Sequence, residues 1–122
     1  HIAWSDDKNA SADVPTPAAV DGRVYVCRDR GQVVCRDIRS GDEIWSFSLP
    51  KSGKAYSASP ILADGKLYLT REDGSTFVVS ADKPELLATN QLDEMTVATP
   101  VLVDGQILIR TLRHLYCIGQ PQ

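Results

Sequence analysis

The sequence predicts an all-β protein made of repeated, four-stranded antiparallel sheets, and three observations carry that prediction. One phrase occurs three times, as Thr16-Pro17-Ala18-Ala19-Val20-Asp21-Gly22, Ser59-Pro60-Ile61-Leu62-Ala63-Asp64-Gly65 and Thr99-Pro100-Val101-Leu102-Val103-Asp104-Gly105. Its Asp-Gly pairs recur after 43 and 40 residues, a period that suits about four strands per unit. No segment carries a helical apolar period long enough to compete with the alternating pattern.

Each element follows from turn chemistry. The first strand spans about Pro17–Val20, with Pro17 at its start, where a missing N–H does least harm. Asp21-Gly22 then turns the chain, since both residues accept positive φ and an Asp-Gly pair between apolar alternations signals a tight hairpin. A second strand follows over about Arg23–Arg28, a turn at Gly31, a third strand over Gln32–Asp37 and a fourth over Glu43–Leu49. The second unit repeats the plan with Pro60–Ala63, Lys66–Thr70, Ser75–Ser80 and Glu85–Thr89, turning at Asp64-Gly65 and Asp73-Gly74. The third has Pro100–Val103, Gln106–Thr111 and His114–Ile118, turns at Asp104-Gly105, and lacks a fourth strand.

One small sheet is marginal alone, so the units must stack face to face, which is the logic of β-propeller blades. The expected organisation is a partial propeller over 1–122. Residues 1–13 are the tail of a preceding outer strand (His1-Ile2-Ala3-Trp4) plus a polar connector. Blade one covers 14–50, blade two 56–92, and an incomplete blade three 96–119. Propellers have about 4–8 blades, so about three leave an incomplete ring. The expectation is a piece of a longer protein, or a ring completed by a protein partner or a second copy. Any export signal would then lie upstream.

Composition narrows the function classes. The net charge of −3, with Arg23, Arg28, Arg30, Arg36 and Arg39 interrupted by Asp21, Asp29 and Asp37, argues against a nucleic-acid partner. The absence of a long apolar run argues against a membrane span in this segment. Three cysteines include no pair at metal-ligand spacing. A two-residue Arg30-Gly31 turn would put Cys27 and Cys35 on opposite faces of one hairpin, so buried, unpaired thiols are expected at Cys27, Cys35 and Cys117.

The run Cys35-Arg36-Asp37-Ile38-Arg39-Ser40-Gly41-Asp42-Glu43-Ile44-Trp45 resembles the tryptophan-docking motif of pyrroloquinoline-quinone-type propeller repeats, with Asp37, Gly41 and Trp45 at its marked positions. With the repeated phrase upstream, the chain is similar to the carboxy-terminal blades of bacterial PQQ-like repeat proteins, including BamB-type assembly lipoproteins. That resemblance implies a periplasmic or otherwise extracytoplasmic location. It also admits quinoprotein dehydrogenases and sensor domains linked to serine/threonine kinases. Asp37 is placed to cap a turn, Gly41 to supply its positive φ, and Trp45 to bury its ring against the next blade, contributing roughly 2–3 kcal/mol. The second unit keeps Asp82 in Ala81-Asp82-Lys83-Pro84-Glu85 but has neither the Gly nor the Trp, so its outer strand should dock more weakly.

No catalytic set, cofactor site or metal site emerges from the residues. A quinoprotein site implies adjacent cysteines, and none are adjacent here. The carboxylates fall mostly in Asp-Gly turns, Glu94 sits in a blade-to-blade connector, His1 is terminal, and His114 next to Arg113 has no assignable nucleophile. The expectation is a non-catalytic scaffold that binds protein through its loops or exposed strand edges, with no cofactor within this chain.

Overall fold

The computed structural model describes residues 1–8 and 12–119, which contain strands and no helix. Eleven strands form three antiparallel sheets, each in simple meander order. The first holds β1 (Ala18–Val20), β2 (Arg23–Cys27), β3 (Gln32–Asp37) and β4 (Glu43–Ser48). The second holds β5 (Ile61–Ala63), β6 (Lys66–Thr70), β7 (Ser75–Ser80) and β8 (Leu86–Gln91). The third holds β9 (Val101–Val103), β10 (Gln106–Arg110) and β11 (Leu115–Ile118).

Turn chemistry sets the pairing. At Asp21-Gly22, Asp64-Gly65 and Asp104-Gly105 both central residues have positive φ, near 48–49° for the aspartates, the two-residue geometry whose twist matches the flanking strands. The β6–β7 connection is built differently. There the Gly74 N–H bonds Arg71 O and the Arg71 N–H bonds Ser75 O, so the loop has three residues and only Gly74 takes positive φ. Asp73 instead uses its carboxylate, accepting from Arg71 Nε at 3.0 Å, Arg71 Nη2 at 2.8 Å and the Ser75 N–H at 3.1 Å.

The β2–β3 loop has the same three-residue form, with Gly31 N–H to Arg28 O and Arg28 N–H to Gln32 O. One extra loop residue shifts the register, so Cys27 faces Val33 and Tyr25 faces Cys35. The expectation of opposite faces is therefore wrong. Side chains alternate along a strand, and Cys27 and Cys35 share the face turned to the second sheet. Both are free and buried, whereas Cys117 is free and exposed, against the expectation for that thiol.

The main core lies between the first two sheets. Tyr25, Cys27, Val33, Cys35 and Trp45 on one side meet Tyr56, Leu67, Leu69, Phe77, Val79 and Ala81 on the other. Hydroxyls link successive units as well: the Thr16 N–H donates to Ser59 Oγ and the Ser59 N–H to Thr99 Oγ1, both at 2.9 Å. The repeated Ser/Thr-Pro step thus carries a rung between sheets. Residues 1–4 form no strand, contrary to expectation. The connector expected over Ser5–Asp13 is described apart from residues 9–11.

Candidate functional site

The interfaces between sheets, and the surfaces they leave open, are where this chain presents chemistry. In the first sheet the β3–β4 turn is organised by Asp37, whose Oδ1 accepts the Arg39 and Ser40 N–H groups at 2.8 and 2.9 Å. Those bonds, the Ser40 one foremost, hold its carboxyl below the usual carboxylate range. Gly41 follows at φ +78°. The Trp4 indole packs on it so closely that a Cβ there would fall 2.5 Å from Trp4 Cδ2. Trp4 Nε1 donates to Ile38 O at 2.9 Å. Nearby, Asp6 pairs with Arg36, whose guanidinium also reaches Gly41 O at 2.8 Å. Spacing along the sequence singles out Asp37, Gly41 and Trp45, but the ring resting on that turn is Trp4.

Trp45 itself is buried between the first and second sheets, 6.0 Å from the Tyr25 ring centroid. Its Nε1 has no hydrogen-bond partner among the described residues. The backbone acceptor that matches Ile38 O in the second sheet is Ala81 O. Ile38 and Ala81 each donate their N–H to the Gly of the Asp-Gly turn in their own sheet, Gly22 and Gly65. Ala81 O is taken by the Tyr25 hydroxyl at 2.9 Å and by Arg23 Nη1 at 3.3 Å.

The same register corrects the reading of Asp82. Asp37 and Ser80 make the equivalent backbone bonds, to Asp42 O and Glu85 O, so Ser80 stands where Asp37 stands. The Asp82 N–H bonds Ser80 Oγ at 3.2 Å, as the Arg39 N–H bonds Asp37. Asp82 therefore lies two residues past the capping position.

Between the second and third sheets the packing thins. Bulges fall at the same place in both four-stranded sheets, so Trp45 opposite Cys35 corresponds to Ala88 opposite Val78, and Phe47 to Asn90. Cys27 and Val33 correspond to Thr70 and Thr76, whose buried hydroxyls bond at 3.0 Å. Strand β8 is exposed along its whole length. A groove of about 750 Å³ opens there, with Tyr68, Val78, Ala88, Leu102, Ile107 and Ile118 among its walls.

The far face of the third sheet is uncovered among the described residues. Val101 opposes Leu108, which opposes Cys117, and Leu115 shares that face. Val101 and Leu115 are 55% and 71% exposed. Strand β11 is an edge strand.

Two further groups come together that the sequence separates by 20 residues. Glu94 accepts from the Thr111 hydroxyl and lies 3.1 Å from His114 Nδ1. The Thr111 bond, then His114, lowers the Glu94 pKa. The carboxylate, not the imidazole, touches the hydroxyl, so the order of groups is wrong for a histidine-activated nucleophile. The described residues hold no cluster of three or more His, Cys, Asp or Glu arranged for a metal ion. No helix among them is long and apolar enough to cross a membrane.

Comparison with known proteins agrees with this architecture. A family model described as outer membrane protein assembly factor BamB matches residues 1–111. The BamB of Escherichia coli is 32% identical over 94 residues, 77% of this chain, and the chain spans 23% of that relative's length. The structure of BamB from Moraxella catarrhalis superposes with a TM-score of 0.71 at 11% identity, covering 95% of this chain and 38% of that one. A quinohemoprotein alcohol dehydrogenase from Pseudomonas putida superposes with a TM-score of 0.71 at 21% identity, covering 89% of this chain and 18% of its own. At those identities the structural likenesses show the fold, a partial β-propeller of antiparallel blades. With its family model matched over residues 1–111, the chain belongs to the BamB family of PQQ-like repeat proteins.

Proposed function

We propose that this chain is a non-catalytic, extracytoplasmic interaction module that holds a polypeptide partner during the assembly of outer membrane proteins. The observation that carries the reading is the third sheet, whose apolar face and β11 edge are both open among the described residues. An edge strand offers unpaired N–H and C=O groups to an extended chain, and an apolar face beside it supplies burial. The relatives named as assembly factors support the same reading. The blades act as a rigid frame that presents this edge.

The test is binding of an unfolded outer-membrane β-barrel polypeptide, fluorescently labelled and diluted from urea, followed by anisotropy. Saturable binding that falls at least tenfold in Leu115→Asp supports the module. Absence of binding overturns it, as does oxidation of an alcohol by the protein supplied with pyrroloquinoline quinone and calcium.

A further inference from the structure

The two seams between sheets share one register, but the second lacks the two aromatic side chains of the first. In the first, Trp45 and Phe47 project from β4 against the second sheet, and the Trp45 ring leans on Tyr25 at a 51° tilt. In the second, the residues at those positions are Ala88 and Asn90, while Tyr68 keeps the place of Tyr25. Each of these identities follows from shared strand register and a shared bulge. The consequences are visible in burial. Tyr25 is 2% exposed and Leu67 fully buried, whereas their counterparts Tyr68 and Ile107 are only half-buried. The first seam's groove of about 510 Å³ stops at Tyr25 and Leu62, and the second seam's groove of about 750 Å³ extends past Tyr68 and Leu102 to Val78, Ala88, Ile107 and Ile118.

We propose that this groove is a receptor slot for an aromatic side chain of an extended partner polypeptide, which fills in trans the space that Trp45 fills in cis one blade earlier. The first seam specifies the guest. It must be planar and apolar enough to lie among Val78, Leu102, Ile107 and Ile118, and able to take a tilted contact with Tyr68. The guest's backbone has a docking line as well. Ile118 belongs both to the groove wall and to β11, one of the two edge strands of the third sheet among the described residues. A strand added along β11 turns alternate side chains toward the second sheet, so one aromatic residue in such a strand reaches the slot while its main chain pairs. Open backbone groups give length of contact, and the slot gives selectivity. The proposal deepens the interaction-module reading and rests on it.

The probes are two labelled heptapeptides, Gly-Ser-Thr-Trp-Thr-Ser-Gly and the same peptide with Ala replacing Trp, titrated against the full chain by fluorescence anisotropy. The Trp peptide should bind at least tenfold more tightly than the Ala peptide. Ala88→Trp, which plugs the slot from within, should bring the Trp peptide down to the Ala peptide's level while raising the melting temperature. Should Ala88→Trp misfold, Tyr68→Ala serves instead, with an expected loss of at least tenfold for the Trp peptide alone. Equal affinities for the two peptides overturn the proposal, as does undiminished Trp-peptide binding in Ala88→Trp. If the unfolded barrel polypeptide still binds wild type while the Trp peptide does not, the slot falls and the module stands. If neither binds, both fall.

Discussion

The indole of Trp4 lies against Gly41, and no side chain could stand between them. A Cβ at Gly41 would sit 2.5 Å from Trp4 Cδ2, and the residue already holds φ at +78°. Gly41→Ala therefore combines backbone strain with loss of the docked ring, and its expected cost is about 2–3 kcal/mol. Trp4→Phe keeps most of the contact and loses the bond to Ile38 O, with an expected cost of about 1 kcal/mol. Chemical denaturation of the two variants checks the order. Equal costs would mean that Gly41 contributes through its turn alone.

The Thr70–Thr76 hydroxyl pair invites a double-mutant cycle. Both side chains are buried and bonded to one another. Either single Thr→Val change leaves the other hydroxyl without that bond and should cost about 1–3 kcal/mol. The double variant replaces both by apolar isosteres and should recover most of that loss. Additive losses would show that the hydroxyls have other partners.

Asp73 ties stability to pH. Its hydrogen bonds from Arg71 pull its pKa from the ordinary 3.8 down to about 2. A group whose folded pKa is depressed stabilises the fold above its unfolded pKa and loses that contribution as pH falls through the folded value. The Asp73 contribution should thus be nearly complete above about pH 4, decline from there and be gone only below about pH 2. Asp73→Asn should cost about 1–2 kcal/mol at neutral pH, after allowance for solvent screening. The gap in melting temperature between variant and wild type should narrow from about pH 4 to pH 2 and close below pH 2, and a gap constant from pH 2 to 7 would exclude the charge as its source.

The thiols should separate by location. Burial pushes the Cys27 pKa up to about 12 and also raises that of Cys35, so both stay protonated and shielded. Cys117 is exposed on the open face of the third sheet. Native protein should titrate one thiol with a soluble disulfide reagent, and the other two only after unfolding. Three fast equivalents would contradict the core packing of Cys27 and Cys35.

The strands were legible because Asp-Gly pairs mark their own turns: Asp21, Asp64 and Asp104 reverse the chain by local backbone preference, with no help from tertiary contacts. What escaped were features set by a single residue of loop length or by a distant partner. The three-residue loop at Asp29–Gly31 moves Cys27 and Cys35 onto one face, and nothing in Arg30-Gly31 distinguishes it from a two-residue turn. The bulge beside Cys35 fixes which residue matches Trp45, and only with that register does Ala88 stand out as its counterpart. Likewise Ser80 replaces Asp37 as the turn cap because the backbone bonds to Asp42 O and Glu85 O align them, while a count of acidic residues points to Asp82. Trp4 came to light through a contact 34 residues away in sequence. Neighbouring residues could not have announced it.

The hydroxyl rungs at Thr16, Ser59 and Thr99 give the stack an arrow. Ser59 sends its amide forward to Thr99 and takes the Thr16 amide on its side-chain oxygen, so both hooks point the same way. A neighbour approaching the Thr99 end in the same orientation would bring an oxygen to meet an amide. One approaching in mirror-like, two-fold fashion would bring amide against amide. Association along this line is therefore polar: units can be threaded on in series, but two identical ends have no matching hook.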